Sequence, residues 1–122
     1  SAPGAARALA GRLLDDGVVV DVLVNNAGFG VAGPVAENDP DRLSTMVALN
    51  IGALTDLTRA FLPGMLARGR GGILNVGSTA AFQPGPLMAG YYATKAYVLS
   101  LTEALWQECR GSGVHVSCLC PG

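Results

Sequence analysis

Four side chains offer chemistry that packing alone does not call for. Tyr91 and Lys95, in "YYATKAY", are four residues apart, so a helix places them on one face. Lys95 is the only lysine among eight basic residues. A chain that otherwise uses arginine keeps an ammonium here, a compact charge that fits beside a phenol where a guanidinium fork does not. A tyrosine with its ordinary pKa of about 10 is a weak acid–base at neutral pH, and a neighbouring cation lowers that value. Ser78 closes the run "GGILNVGS"; at the carboxyl end of a parallel strand its hydroxyl could hydrogen-bond a substrate carbonyl. Asn50 interrupts the helical stripe Leu43, Val47, Leu54, Leu57, Phe61. A buried amide there costs a few kcal/mol unless it is partnered. It either satisfies a local backbone kink or holds water or backbone beside a site. Taken singly, each residue also has a plain structural role: a surface lysine beside a core aromatic, a turn serine, a kink asparagine.

The elements that must position these groups are legible in the hydrophobic pattern. Residues 2–15 have helical spacing, with Gly17 as the stop, and "VVVDVLVN" (18–25) reads as a buried strand. Asp39 and Pro40 form an N-cap and first helical position, opening a helix over 40–67 whose end Pro63 and Gly64 should kink or tighten. A second strand follows (72–77), then a Pro- and Gly-rich loop (82–90). A long helix over 91–110 ends at Gly111 and Gly113, and "VHVSCLC" (114–120) is a third strand. This alternation implies an α/β fold: three parallel strands adjacent in chain order, joined by right-handed helical crossovers. The first strand should then present an unpaired edge.

"NAGFGVAG" contains Gly28, Gly30 and Gly33 behind a strand, the spacing of a dinucleotide-binding fingerprint. That fingerprint needs a helix opening inside the motif, so that its N–H groups face the phosphates. Pro34 and the polar stretch Glu37-Asn38-Asp39 stand there instead. The triplet therefore reads as a glycine-rich loop.

Composition narrows the class. In 122 residues, 50% are apolar and 14% charged, with net charge −1 and mean hydropathy +0.39. That suits parallel strands covered on both faces. Scattered arginines argue against nucleic acid or an anionic membrane surface as a partner, and no apolar run approaches the ~20 residues of a spanning helix. Cys109, Cys118 and Cys120 have no metal-binding spacing and read as buried small hydrophobes in a reducing, cytoplasmic setting. His115, the lone histidine, sits mid-strand and reads as structural.

Taken in order, "DVLVNNAG", "LNIGALTDLTRAFLPGM", "ILNVGS", "YYATK" and "CLCPG" resemble the short-chain dehydrogenase/reductase family over the whole chain. The resemblance implies a Rossmann-type doubly wound parallel sheet, of which residues 1–122 form about half. It implies Tyr91 as the acid–base toward the substrate oxygen, and Lys95 as the group that lowers the Tyr91 pKa and binds the nicotinamide ribose. Ser78 would polarise the carbonyl, and Asn50 would hold a water in a proton relay to Lys95. Asn26, Ala27 and Gly28 would lie along the adenosine half of NADP or NAD, and Pro121 and Gly122 near the nicotinamide. Tyr92 and Tyr97 match no catalytic position, and Gly77 stands where the family often has serine or alanine. The glycine-rich phosphate loop would lie upstream of Ser1, so the isolated chain is expected to bind nucleotide poorly. The activity implied is NAD(P)-dependent interconversion of a small-molecule carbonyl and alcohol, in a homo-oligomer formed through helices 40–67 and 91–110. Two other readings stand beside it: an inactive fragment or scaffold piece of such an enzyme, and a sugar-nucleotide epimerase of the extended type, which shares Y-x-x-x-K.

Overall fold

The computed structural model describes residues 4–26, 28–76 and 88–119. Ala27, Ser78, Cys120, Pro121, Gly122 and most of the 82–90 loop lie outside the described residues. The elements run α1 (Ala5–Asp15), β1 (Val22–Asn25), a single 3-10 turn (Val35–Glu37), α2 (Pro40–Val47), a π-helical segment (Ala48–Ala53), α3 (Leu54–Arg68), β2 (Gly71–Val76), α4 (Ala89–Glu108) and β3 (Val114–Leu119). The strands form one parallel sheet in the order β1-β2-β3, the order expected for them.

Local chemistry sets the element ends. Asp39 caps α2 by accepting the Arg42 N–H at 2.9 Å, with Pro40 at the first turn where its missing N–H costs nothing. α3 runs through Pro63 to Arg68 and stops at Gly69, which takes the left-handed conformation (φ 69°) while the Arg70 N–H closes onto Met65 O. At the far end of α4, Gly113 (φ 85°) lies so close to the Gly69 carbonyl that any Cβ there would collide with backbone.

Two expected elements are corrected. The strand anticipated over 18–25 is confined to Val22–Asn25. Its first residues are claimed by other partners: the Val18 N–H bonds Leu13 O in the stop of α1, and Val20 O accepts from the Arg68 guanidinium at 2.9 Å. The helix anticipated over 40–67 is not one uniform α-helix, because six residues around Asn50 adopt the wider π winding. Smaller shifts affect α4, which spans Ala89–Glu108 rather than 91–110.

Side chains alternate across the strands, and one face carries the core. Leu23, Ile73, Val114 and Val116 pack with Ala10 of α1, Phe61 and Met65 of α3, and Leu105 of α4. Full burial of each large apolar member contributes roughly 1.5–3 kcal/mol. On the other face Val22, Val24 and Leu119 are more than half exposed. His115 and Ser117 are exposed there too, so the histidine is no core group. Cys109 is buried as anticipated, whereas Cys118 is only half-buried. β1 has a strand partner on one side only among the described residues, which is the open edge anticipated for it.

Candidate active site

The carboxyl ends of β1 and β2 meet the first turns of α4 and the π segment. Asn25 and Asn75 are register partners at these ends, and both are buried. Asn25 Nδ2 donates to Asn75 Oδ1 at 2.9 Å and, more weakly, to Thr58 Oγ1 of α3 at 3.4 Å. Asn75 Nδ2 donates to Thr102 Oγ1 of α4 at 2.9 Å, and that hydroxyl donates to Val98 O. Polar groups in a dry interior are costly unless each finds a partner, and here they do. The ladder fixes strands and helices relative to one another just below the site. Sequence reading missed it, since Asn75 inside "GGILNVGS" was treated only as strand; the polar residue at an inward position was the available signal.

Asn50 is 1% exposed. Its Oδ1 accepts the Phe29 N–H at 3.0 Å, and its Nδ2 donates to Phe29 O at 2.8 Å and to Thr94 Oγ1 of α4 at 3.2 Å. The π winding shifts the helical phase by adding a residue to the turn, a feature common at functional sites. Of the two roles anticipated for Asn50, its side chain takes the one of holding backbone, and both amide hydrogens are spent on protein partners. Gly28 makes room for this clamp: a Cβ on it would sit 2.8 Å from Asn50 Oδ1. Gly30, two residues on, lies against the Tyr91 ring, where a Cβ would be 3.4 Å from Cδ1. The glycines that imitate a phosphate fingerprint thus serve close backbone packing on two helices. Among the described residues of the motif no helix opens; α2 begins only at Pro40.

Tyr91 and Lys95 share the face of α4 turned toward this loop. Tyr91 is half-buried, and Lys95 is buried with 8% exposure. The Lys95 Nζ lies 5.6 Å from the Tyr91 ring centroid and donates to Val76 O, the last described residue of β2, at a long 3.5 Å. Burial holds the Lys95 pKa below the ordinary lysine value of 10.5, with Cys118 opposing the shift. Tyr97 points elsewhere, its hydroxyl 2.7 Å from Thr55 Oγ1. Tyr92 meets the Tyr91 ring edge-on.

The structure thus brings Asn50, Gly28, Tyr91 and Lys95 into one neighbourhood. Asn26 is exposed in the same loop, without a described role. Ser78, Ala27, Pro121 and Gly122 fall outside the described residues. Among the described residues no cluster of acidic, histidine or cysteine side chains could hold a metal ion, and no helix is long and apolar enough to cross a membrane.

Comparison with known proteins identifies the family and agrees with the parallel fold. The chain is 38% identical over 103 residues to a ketoacyl reductase, HetN, of a Nostoc species, covering 84% of this chain and 36% of that protein. A metagenomic short-chain oxidoreductase in complex with NADP superposes with a TM-score of 0.86 at 38% identity, over 99% of this chain and 55% of the other. A 3-oxoacyl-[acyl-carrier protein] reductase from Brucella melitensis with bound NAD gives 0.84 at 33% identity, over 96% and 47%. The chain spans about a third of the length of the curated relatives it matches. The sequence profile described as short chain dehydrogenase matches residues 3–122. With the parallel sheet, the glycine-backed tyrosine and the buried lysine already in place, the chain belongs to the short-chain dehydrogenase family.

Proposed function

We propose that this chain carries the catalytic part of an NAD(P)-dependent oxidoreductase that interconverts a carbonyl and an alcohol. The observation that carries the reading is the lone lysine, buried one helical turn from Tyr91 with its pKa depressed by that burial. A buried ammonium is costly to keep unless it has work to do.

The residues present fit a nicotinamide dinucleotide. Lys95 has three N–H donors and the Val76 carbonyl takes one, at long range. The remaining donors suit a ribose diol. A nicotinamide nucleotide held there would supply the hydride in reduction and accept it in oxidation. Tyr91 gives its phenolic proton to the substrate oxygen in reduction and takes it back in oxidation. Lys95 places its ammonium 5.6 Å from the Tyr91 ring centroid, where a positive charge stabilises the negative charge that develops on the phenol oxygen during proton transfer. Ser78 hydrogen-bonds and orients the substrate carbonyl. Asn50 holds the 28–30 loop through Phe29, and any water it retains for a proton relay must use its backbone carbonyl or the spare lone pair of Oδ1. Asn26, Ala27 and Gly28 would serve the adenosine half of the nucleotide, and Pro121 and Gly122 the nicotinamide half, as the family resemblance implies. Residues 1–122 then form part of a larger nucleotide-binding domain.

Several of the matched proteins are named for ketoacyl or 3-oxoacyl reduction, which makes 3-oxoacyl thioesters the first substrates to offer. The full-length protein should oxidise NADPH or NADH in a carbonyl-dependent manner, read as loss of reduced-nicotinamide absorbance. Tight nucleotide binding without turnover of any carbonyl or alcohol would favour the scaffold reading instead.

A further inference from the structure

We infer that Thr94 is a positioning residue for the acid–base pair, an assignment that rests on the proposed roles of Tyr91 and Lys95. Thr94 sits between them on α4 and is 3% exposed. Its Oγ1 accepts from Asn50 Nδ2 at 3.2 Å and donates to Tyr91 O at 2.7 Å. One hydroxyl therefore joins the π segment to the turn of α4 that carries Tyr91.

Three segments meet at this point. The Asn50 amide grips the Phe29 backbone at both N–H and C=O, which places Gly30 against the Tyr91 ring. The same amide reaches Thr94, and Thr94 returns to the Tyr91 carbonyl. The ring of Tyr91 is thus located from one side by the loop and from the other by its own backbone, both referred to Asn50. Removal of the hydroxyl leaves the loop contact intact but cuts the helix contact. The Tyr91 oxygen can then shift relative to the loop without the fold being lost. Thr94 touches neither substrate nor the transferred proton and acts only through these neighbours.

The side-chain choice tests this. Thr94→Val keeps the shape and removes both hydrogen bonds, while Thr94→Ser keeps the hydroxyl. In the full-length protein, Thr94→Val should lower kcat by between about tenfold and a hundredfold, the scale of a sub-ångström to ångström misplacement of a catalytic group. KM for the nucleotide should stay nearly unchanged, and the pH profile of kcat should shift. Thr94→Ser should restore both kcat and the profile. A Thr94→Val enzyme with wild-type kcat and pH profile overturns the assignment, as does a Thr94→Ser enzyme as slow as a Thr94→Ala one. The serine comparison stands even if the valine variant does not fold. Tyr91→Phe in parallel separates the two levels: near-normal turnover there removes the acid–base reading itself, and with it the role of Thr94. An inactive Tyr91→Phe beside an unaffected Thr94→Val removes the positioning role alone.

Discussion

Asn50 and Phe29 are joined by two hydrogen bonds, the side-chain amide of one pairing with the backbone N–H and C=O of the other at 3.0 and 2.8 Å. The pairing imitates a strand contact across 21 residues of sequence and anchors the glycine loop to the π segment. Gly28 is the residue that allows so close an approach. Gly28→Ala should push its new methyl into Asn50 Oδ1 and cost about 1–3 kcal/mol, as over-packing of a filled site does. Urea denaturation reads the loss; an unchanged midpoint would show that the loop can yield.

Lys95 gives a prediction with opposite signs for stability and activity. Its folded-state pKa lies below 10.5, so the buried ammonium costs stability at neutral pH. Between the lowered value and 10.5 the unfolded chain binds more protons, and the Lys95 contribution to stability rises with pH across that window. Lys95→Met should therefore raise the nucleotide-free Tm at neutral pH, flatten the alkaline rise and abolish turnover. A variant less stable than wild type at neutral pH would mean that Val76 and other partners more than offset the burial.

The ladder Asn25–Asn75–Thr102 should behave as a unit. Asn75→Leu keeps the branched skeleton but strands the amide of Asn25, and a buried donor left without its partner costs about 1–3 kcal/mol. Chemical denaturation of the single variants and the Asn75→Leu/Thr102→Val double variant should show strong non-additivity. Simple additivity would mean that the two bonds act separately.

Self-association is expected through the helices of residues 40–68 and 89–108. Trp106 is 50% exposed and Leu66 42% exposed, more apolar surface than these helices need toward the sheet. Light scattering on the full-length protein should show a dimer or larger species at micromolar concentration, and Trp106→Glu should reduce it. A monomer in wild type contradicts the expectation.

Much of this was legible in the sequence. The spacing of Tyr91 and Lys95 placed them on one helix face, and Asp39-Pro40 marked the start of α2 to the residue. The parallel direction of the strands followed from the alternation of periods, and their β1-β2-β3 order from that alternation together with the family resemblance. The π winding at Asn50 was not legible, because apolar spacing over a few turns barely distinguishes one inserted residue from a scatter of contacts. The short β1 was hidden for a different reason: Val18, Val19 and Val20 have high strand propensity, yet Val18 and Val20 are tied to α1 and Arg68. Asn75 at an inward strand position was a local signal of a buried polar group, but its pairing with Asn25 across 50 residues of sequence was not legible. The glycine triplet misleads in the opposite direction, since close packing and phosphate binding ask for the same residue.

The central claim is that Tyr91 transfers the proton while Lys95 conditions it. The most direct test is single-turnover carbonyl reduction by the full-length Tyr91→Phe variant, with nucleotide affinity measured on the same preparation. Loss of the transferable proton should slow the chemical step by about 10²- to 10⁴-fold, the range for general acid–base catalysis, and leave the dissociation constant for reduced nucleotide unchanged. A Tyr91→Phe enzyme that reduces its carbonyl at the wild-type rate would contradict the account.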